Sequence, residues 1–468
     1  MASSRFVARS PIPASAEELS RWHLREGAFE RLRPPWERIA PPEPPGPIGE
    51  GKRVLLRMRA GPFPFRWVAE HRDFEPGRGF RDVQVEGPFA RWDHHHRFLP
   101  LDEARSTLED AIEYALPFGG LGSLVGGSNV RRKLRRVFTY RHALTAADLA
   151  RHRGRRPLRV ALSGSSGLVG SALTAFLRSG GHEVHRLVRG AAGAADEIGY
   201  DAARGGVRAE QLEGLDAFVH LAGESIASGR WTPERRRRIR DSRVVTSRSF
   251  AQTLAGLARP PRVLINASAV GFYGDRGDEV LDESSAPGEG FLAETCRDWE
   301  EAVAPAVRAG IRVVRLRIGV VLAAAGGALP RMVTPFRLGL GGRLGDGRQF
   351  LSWIALDDLV GLIHFLLCDD ACEGAVNAVS PAPLRNVDFT RELARVLRRP
   401  ALLPLPALAI RLLMGEMGQG LLLDGARVLP QRALDGGFRF RHPTLEAALR
   451  FELGLFDEGT AKPSFEEG

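Results

Sequence analysis

The sequence predicts an α/β protein: a doubly wound parallel sheet preceded by a smaller α+β domain. Three observations carry that expectation. From residue 158 onward, short apolar segments alternate with helical ones, the pattern of parallel strands joined by crossover helices. Before that point, several segments alternate apolar and polar residues with period two, and a single long helical pattern follows them. Between the first apolar strand of the second half and its helix lies a glycine-rich turn. At 468 residues the chain is long enough for two or three domains, each with its own core.

In the first half, residues 5–10 read as a strand and 16–29 as a helix with apolar residues on one face. A proline-rich loop follows at 41–47. Five strands are then expected at 53–60, 65–74, 79–85, 91–98 and 106–115, and a helix over 125–150 closes the domain, which is assigned to 1–150. A basic stretch from Thr139 to Pro157 separates the two halves, with 151–157 as the linker. His94, His95 and His96 are consecutive on an expected strand. Only His94 and His96 therefore share a face, no third ligand is apparent nearby, and the reading is a sheet-surface cluster with no metal.

In the second half, strands are expected at 158–163, 183–188, 216–221, 262–267 and 312–317. The nucleotide-binding domain is assigned to 158–379 and a helical tail module, completing the substrate side, to 380–468. Residues 401–417 are rich in leucine, but Pro404 and Pro406 interrupt them, so this reads as a packing helix rather than a membrane span.

Composition narrows the function classes. The formal charge of +10 comes almost wholly from arginine interleaved with acidic residues, as in the 235–243 run, and no recognition helix or aromatic stacking motif accompanies it. This argues against a nucleic-acid partner. Cys296, Cys368 and Cys372 are too few for a disulfide framework, and no second ligand pair makes a metal site of the last two. With no spanning run and no leader pattern, a cytoplasmic protein is expected.

The chemistry-bearing motif is Gly164-Ser165-Ser166-Gly167-Leu168-Val169-Gly170, following the apolar strand and opening a helix. Glycines at these spacings let backbone approach a pyrophosphate at a helix N-terminus, where free N–H groups and the dipole favour an anion. The next strand ends in Arg189, with Arg186 three residues earlier. Arginine at that strand end accommodates a ribose 2′-phosphate, whereas a carboxylate would accept a 2′-hydroxyl, so NADP(H) is expected over NAD(H). The strand at 216–221 runs into Leu221, Ala222, Gly223 and Glu224. The small residues permit close approach of a cofactor, and Glu224 is read either as a ribose or substrate ligand or as a helix cap.

Together with Ser268-Ala-Val-Gly-Phe-Tyr273-Gly274, the runs 220–226, 229–231, 239–245, 291–300, 315–322, and 350–354 with Asp357 and Asp358, these segments resemble the extended short-chain dehydrogenase/reductase superfamily, which has the Rossmann fold. The nearest resemblance is to an atypical epimerase-like branch that includes bacterial proteins loosely named cell-division inhibitors. The first half resembles the helix-grip fold of the START-like, polyketide-cyclase superfamily, on the 65–71, 80–84 and 87–98 segments. That resemblance implies an apolar cavity and a hydrophobic ligand.

The departure from the superfamily is sharper than the match. A Tyr-x-x-x-Lys pair is implied on the helix after the serine strand, the lysine lowering the tyrosine pKa. Here that helix reads Phe291-Leu-Ala-Glu-Thr-Cys-Arg-Asp-Trp-Glu300, with neither residue, and all three lysines of the chain (Lys52, Lys133, Lys462) lie outside the domain. Arg297 falls near the lysine position but supplies no equivalent ammonium. Ser268 keeps the place of the serine that polarises a carbonyl, and Tyr273, expected near the mouth, is the remaining acid/base candidate. The expected function is an NADP(H)-binding oxidoreductase or epimerase-like protein acting on a small substrate. The alternative is a non-catalytic sensor of NADP(H) and a lipid-like ligand. Dimerisation is common in the superfamily, although these residues do not establish it.

Overall fold

A computed structural model of the chain describes residues 3–37, 39–40, 48–60, 63–117, 119–201, 206–370, 372–456 and 463–467; for 60 and 119–125 only the backbone is described. The proline-rich 41–47 loop lies outside the described residues. The chain divides into two compact units. One holds 1–157, 175–181 and 453–468, the other 158–174 and 182–452.

The first unit is built on an antiparallel sheet: β1 (Ser4–Ile12), β2 (Arg53–Ala60), β3 (Phe63–Glu75), β4 (Gly79–Glu86), β5 (Arg91–Asp102) and β6 (Arg105–Ala115), in the order β2-β3-β4-β5-β6-β1. A terminal strand, Ser464–Glu467, pairs with β1, Phe6 opposite Glu467. The end of the chain, expected in the helical tail module, thus completes the first sheet. The helix expected over 16–29 is two helices, α1 (Ala16–Leu24) and α2 (Ala28–Leu32), because Gly27 adopts a left-handed φ of 89° between them. Ser15 caps α1, accepting from the Glu18 backbone N–H at 3.2 Å.

The long helix α3 (Gly119–His152) extends the expected one at both ends and takes in Thr139–His152, which had been assigned to the separating stretch. It packs Leu134 and Phe138 against Phe6, Ala8, Ile112 and Tyr114 of the sheet. A second cluster joins Leu149 to Trp22, Phe80, Phe98 and Leu108. The buried Arg31–Asp148 pair, two-pronged at 2.7 and 2.6 Å, ties α2 to α3.

The second unit carries the parallel sheet. Its elements are β7 (Arg159–Ser163), α4 (Leu168–Ser179), β8 (Glu183–Arg189), β9 (Glu197–Asp201), β10 (Gly206–Val207), β11 (Ala217–His220), α5 (Pro233–Ala255), β12 (Val263–Ala269), β13 (Val280–Leu281), α6 (Phe291–Glu301) and β14 (Arg312–Ile318). The order is β10-β9-β8-β7-β11-β12-β14, then Gly374–Ala378, with all pairs parallel except β9 with β10; β13 belongs to a separate small sheet. Strand order reverses at β7/β11, so their carboxyl ends open a crevice, the place where such sheets bind ligands. Phe218, Phe250, Leu254, Leu264 and Val313 form the core on the α5 side. Thr232 caps α5, accepting from the Arg235 backbone N–H. The leucine-rich 401–417 segment is helical over Ala407–Met414, where Ile410 is buried and Leu408, Leu412 and Leu413 are exposed, and again from Glu416 after a break at Gly415. No described helix is long and apolar enough to cross a membrane.

Candidate nucleotide site and the buried serine–tyrosine network

At the switch point the glycines are demanded by backbone contacts. Gly164 has a φ of 75°, and a Cβ there would stand 2.8 Å from both Ala222 N and Leu221 C. A Cβ on Gly170 would lie 2.1 Å from Gly164 O, and one on Gly167 would lie 3.2 Å from the same atom. The turn is closed by Gly167 N–H donating to Gly164 O at 3.0 Å, and α4 begins one residue later. The β7 end, the first turn of α4 and Leu221–Gly223 are thereby pressed together without side chains between them. Ser165 is buried within the turn, whereas Ser166 and Gly167 are exposed and Leu168 and Val169 half-buried at the head of the helix. A loop of this shape at a helix N-terminus suits a pyrophosphate.

Beneath the loop, Ser163 Oγ and His220 Nδ1 are 2.5 Å apart between adjacent strands. His220 is fully buried, and burial, with Arg243 nearby, pushes its pKa down to about 3. The imidazole is neutral there and couples β7 to β11.

The two arginines of the β8 end have separate fates. Arg186 is held by Asp196, at 2.7 and 3.1 Å, and by Glu197 at 3.0 Å. Arg189 is exposed at the strand end. Gly190, next in the chain, lines a shallow cavity of about 600 Å³ with Tyr200, Asp201 and Arg208. Arg186 is thus committed to structure, whereas Arg189 stands at the exposed strand end.

Glu224 does not cap the helix, since Thr232 does, and its carboxylate is engaged by Arg235 at 3.3 Å and Arg238 at 3.6 Å. The residue that shapes this loop was hidden in the basic run. Arg243 donates to the Glu224 carbonyl at 2.9 Å and to the Ile239 carbonyl at 2.9 Å, lies over the Trp299 ring, and presses on Gly223, where a Cβ would meet its Cζ at 3.1 Å. Burial lowers its pKa. Several arginines of the same run, Arg237, Arg238 and Arg240, are exposed, so nothing in composition separated it from them.

Ser268 and Tyr273 are brought into one network, but not at a mouth. Ser268 Oγ is buried and donates to Glu300 Oε1 at 2.7 Å. Arg317 of β14 grips the same carboxylate from Nε at 2.8 Å and Nη2 at 2.9 Å, and donates from Nη1 to Tyr273 Oη at 2.9 Å. The tyrosine hydroxyl is 2.9 Å from the Asp282 carbonyl and 2.8 Å from Asn377 Oδ1, and its single proton serves one of them at a time. Tyr273 is 0% exposed, and burial raises its pKa. The expected position near the mouth is thus corrected: the ring is core, stacked edge-on to Phe272.

On α6 Cys296 packs against Phe272 and Tyr273, and burial pushes its thiol up to about 12. Arg297 points away and is exposed. Glu300 and Arg317, which sequence reasoning did not single out, are the charged centre of this part of the unit.

With this geometry in place, the class is defined by comparison. The model of the NAD dependent epimerase/dehydratase family matches residues 160–378, and that of a domain of unknown function (DUF1731) matches 405–452. The chain belongs to the epimerase family. Among its relatives, an epimerase family protein of Mycobacterium bovis is 45% identical over 62% of this chain and 96% of its own length. The epimerase family protein SDR39U1 of Bos taurus is 36% identical over 63% and 99%. A crystal structure of a nucleoside-diphosphate sugar epimerase from Corynebacterium glutamicum is 35% identical, covers 96% of this chain and 90% of its own, and superposes with a TM-score of 0.79. The human SDR39U1 structure with NADPH is 31% identical over 63% of this chain and 99% of that one, with a TM-score of 0.57.

Proposed function

We propose that the chain is an NADP(H)-dependent oxidoreductase or epimerase-like protein that acts on a small carbonyl or hydrophobic substrate without a Tyr-x-x-x-Lys pair. The observation that carries the cofactor part is the turn at the switch point, where a Cβ on Gly164 or Gly170 would collide with backbone and one on Gly223 would press on the Arg243 side chain. Gly164–Gly170 would hold the pyrophosphate, Leu221–Gly223 would flank the cofactor, and Arg189 would face the 2′-phosphate. The NADPH in the human SDR39U1 structure supports the same choice of nucleotide. A bound nicotinamide supplies hydride exchange. The chain would supply position, and the proton that must accompany the hydride would come from solvent, because the two side chains expected to handle protons are committed elsewhere.

A second reading, a non-catalytic NADP(H) sensor, is favoured by Ser268. To polarise a substrate carbonyl a serine must donate its proton, and here that proton is directed at Glu300. In either reading we take the first unit as a helix-grip domain that binds a second ligand, on the order of its strands and its long closing helix. Its interior is not uniformly apolar, however: His71, His94, His96 and Asp110 are buried there.

The two readings separate on one experiment. Purified protein is loaded with NADPH and offered a panel of aldehydes, ketones and nucleotide sugars. Oxidation of the bound nucleotide by any of them supports the enzyme. Tight binding with neither oxidation of the nucleotide nor an epimerised product across the panel supports the sensor, since an epimerase returns the hydride and leaves no net oxidation.

A further inference from the structure

The buried polar stripe of the first unit contains a set of donors that neither function uses. In β-sheet register, Asp82 of β4 stands directly opposite His94 of β5 on one side and His71 of β3 on the other. His96, two residues along β5, faces Asp110 of β6. Alternation puts His94 and His96 on one face, as the sequence implies. The third donor comes from the neighbouring strand, which no local spacing reveals.

We propose that His94, His96 and Asp82 are the protein ligands of a single divalent transition-metal ion. One ligand atom from each lies within 4.8 Å of the other two. His96 Nε2 and Asp82 Oδ2 are 3.3 Å apart. Two ligands at about 2.1 Å from a tetrahedral ion stand roughly 3.4 Å apart, so an ion fits between these atoms with little movement. Two imidazoles and a carboxylate suit zinc and its first-row neighbours rather than magnesium, calcium or copper(I).

The surroundings are those of a supported site. Asp110 is buried and accepts from His94 Nε2 at 2.7 Å and His142 Nε2 at 2.7 Å, and His142 Nδ1 is 3.0 Å from Ser10 Oγ. A carboxylate that fixes the far nitrogen of a ligating histidine orients the ring and raises its basicity. With Nε2 held by Asp110, Nδ1 is the His94 atom the proposal assigns to the ion. Meanwhile His71 Nδ1 is buried without a hydrogen-bond partner among the described residues, Asp82 Oδ1 has only an ion-pair contact with His71 Nε2 at 3.3 Å, and His96 Nδ1 has one with Asp110 Oδ1 at 2.7 Å. Buried polar atoms left this way are costly unless another group serves them. The Asp82 side chain is 25% exposed, which gives the ion a way in.

The test uses the full chain, stripped with a chelator and titrated with Zn²⁺ and, separately, Co²⁺. Cobalt is followed by its visible absorption, which reports nitrogen–oxygen coordination. The proposal expects one ion per chain, with affinity at least tenfold weaker in Asp82→Asn and His96→Gln and unchanged in His95→Gln, whose side chain lies on the other face beside Asp93. Circular dichroism establishes that each variant is folded; should His96→Gln fail, the part-exposed Asp82→Asn decides. Absence of stoichiometric binding to the wild type overturns the proposal. So does binding that Asp82→Asn leaves intact, because the ion is then held elsewhere.

Discussion

Glu300→Gln should damage this protein more than Ser268→Ala, although Ser268 holds the place of a superfamily catalytic residue. The Glu300 and Arg317 side chains are 9% and 6% exposed, and three hydrogen bonds of 2.7–2.9 Å converge on the carboxylate. Neutralising it leaves a guanidinium buried against Phe272 and Tyr273 with no counter-charge in the network. Breaking such a pair from one side costs roughly 3–5 kcal/mol. Ser268→Ala removes one bond to a charged acceptor that Arg317 still satisfies, about 1.5 kcal/mol. Urea unfolding followed by tryptophan fluorescence reads the ordering of midpoints; Trp299 lies on α6 beside Glu300. Since two units need not unfold together, midpoints are compared rather than extrapolated free energies. The double variant should lose less than the sum of the two, because Glu300→Gln already reduces the Ser268 bond from a charge-assisted to a neutral one. A Ser268→Ala midpoint at or below that of Glu300→Gln would refute the account of a serine bound to a structural ion pair.

Three further outcomes follow from the same geometry. Gly170→Ala places a Cβ 2.1 Å from a backbone oxygen that cannot rotate away, so α4 must shift by about 1 Å from β7. NADPH affinity should fall at least tenfold and stability by about 1–3 kcal/mol, while Gly193→Ala, whose Cβ meets nothing closer than 3.5 Å, should leave both unchanged. Arg189→Ala should weaken NADPH roughly tenfold and leave NADH within twofold, measured by fluorescence titration, since only the 2′-phosphate distinguishes the two. His220, with its folded pKa lowered to about 3, keeps the folded protein from taking up a proton that the unfolded chain accepts near pH 6.5. Its contribution is present above pH 6.5 and falls by about 1.4 kcal/mol per pH unit as acid is added toward pH 3. His220→Asn should flatten the stability profile between pH 6 and pH 4 by that slope.

Much of the fold was legible because its signals are local. Apolar period-two runs marked β2 to β6 within a few residues, and the glycine turn located the switch point. Short edge elements were not legible: β9, β10 and Gly374–Ala378 have two to five residues each, too few for a period to register. Nor was the pairing of Ser464–Glu467 with β1, a contact across nearly the whole chain. The site divides in the same way. Gly164 to Gly170 and Arg189 are read from spacing along one strand–turn–helix–strand unit. Glu300 with Arg317, and Asp82 with His94, meet only through strand register and helix packing. Tyr273 was misplaced because a residue just past a strand end looks exposed in sequence, while here a 3-10 turn, Val270–Tyr273, folds it inward.

The central claim is that the β7–α4 turn is a nucleotide cradle, and it is tested most directly by titrating the full chain with NADPH and NADH and repeating both with Gly164→Val. The account predicts saturable binding tighter for NADPH, abolished when a branched side chain enters the 2.8 Å gap beside Ala222. Wild-type protein that binds neither nucleotide, or a Gly164→Val protein that binds as well as wild type, would contradict it.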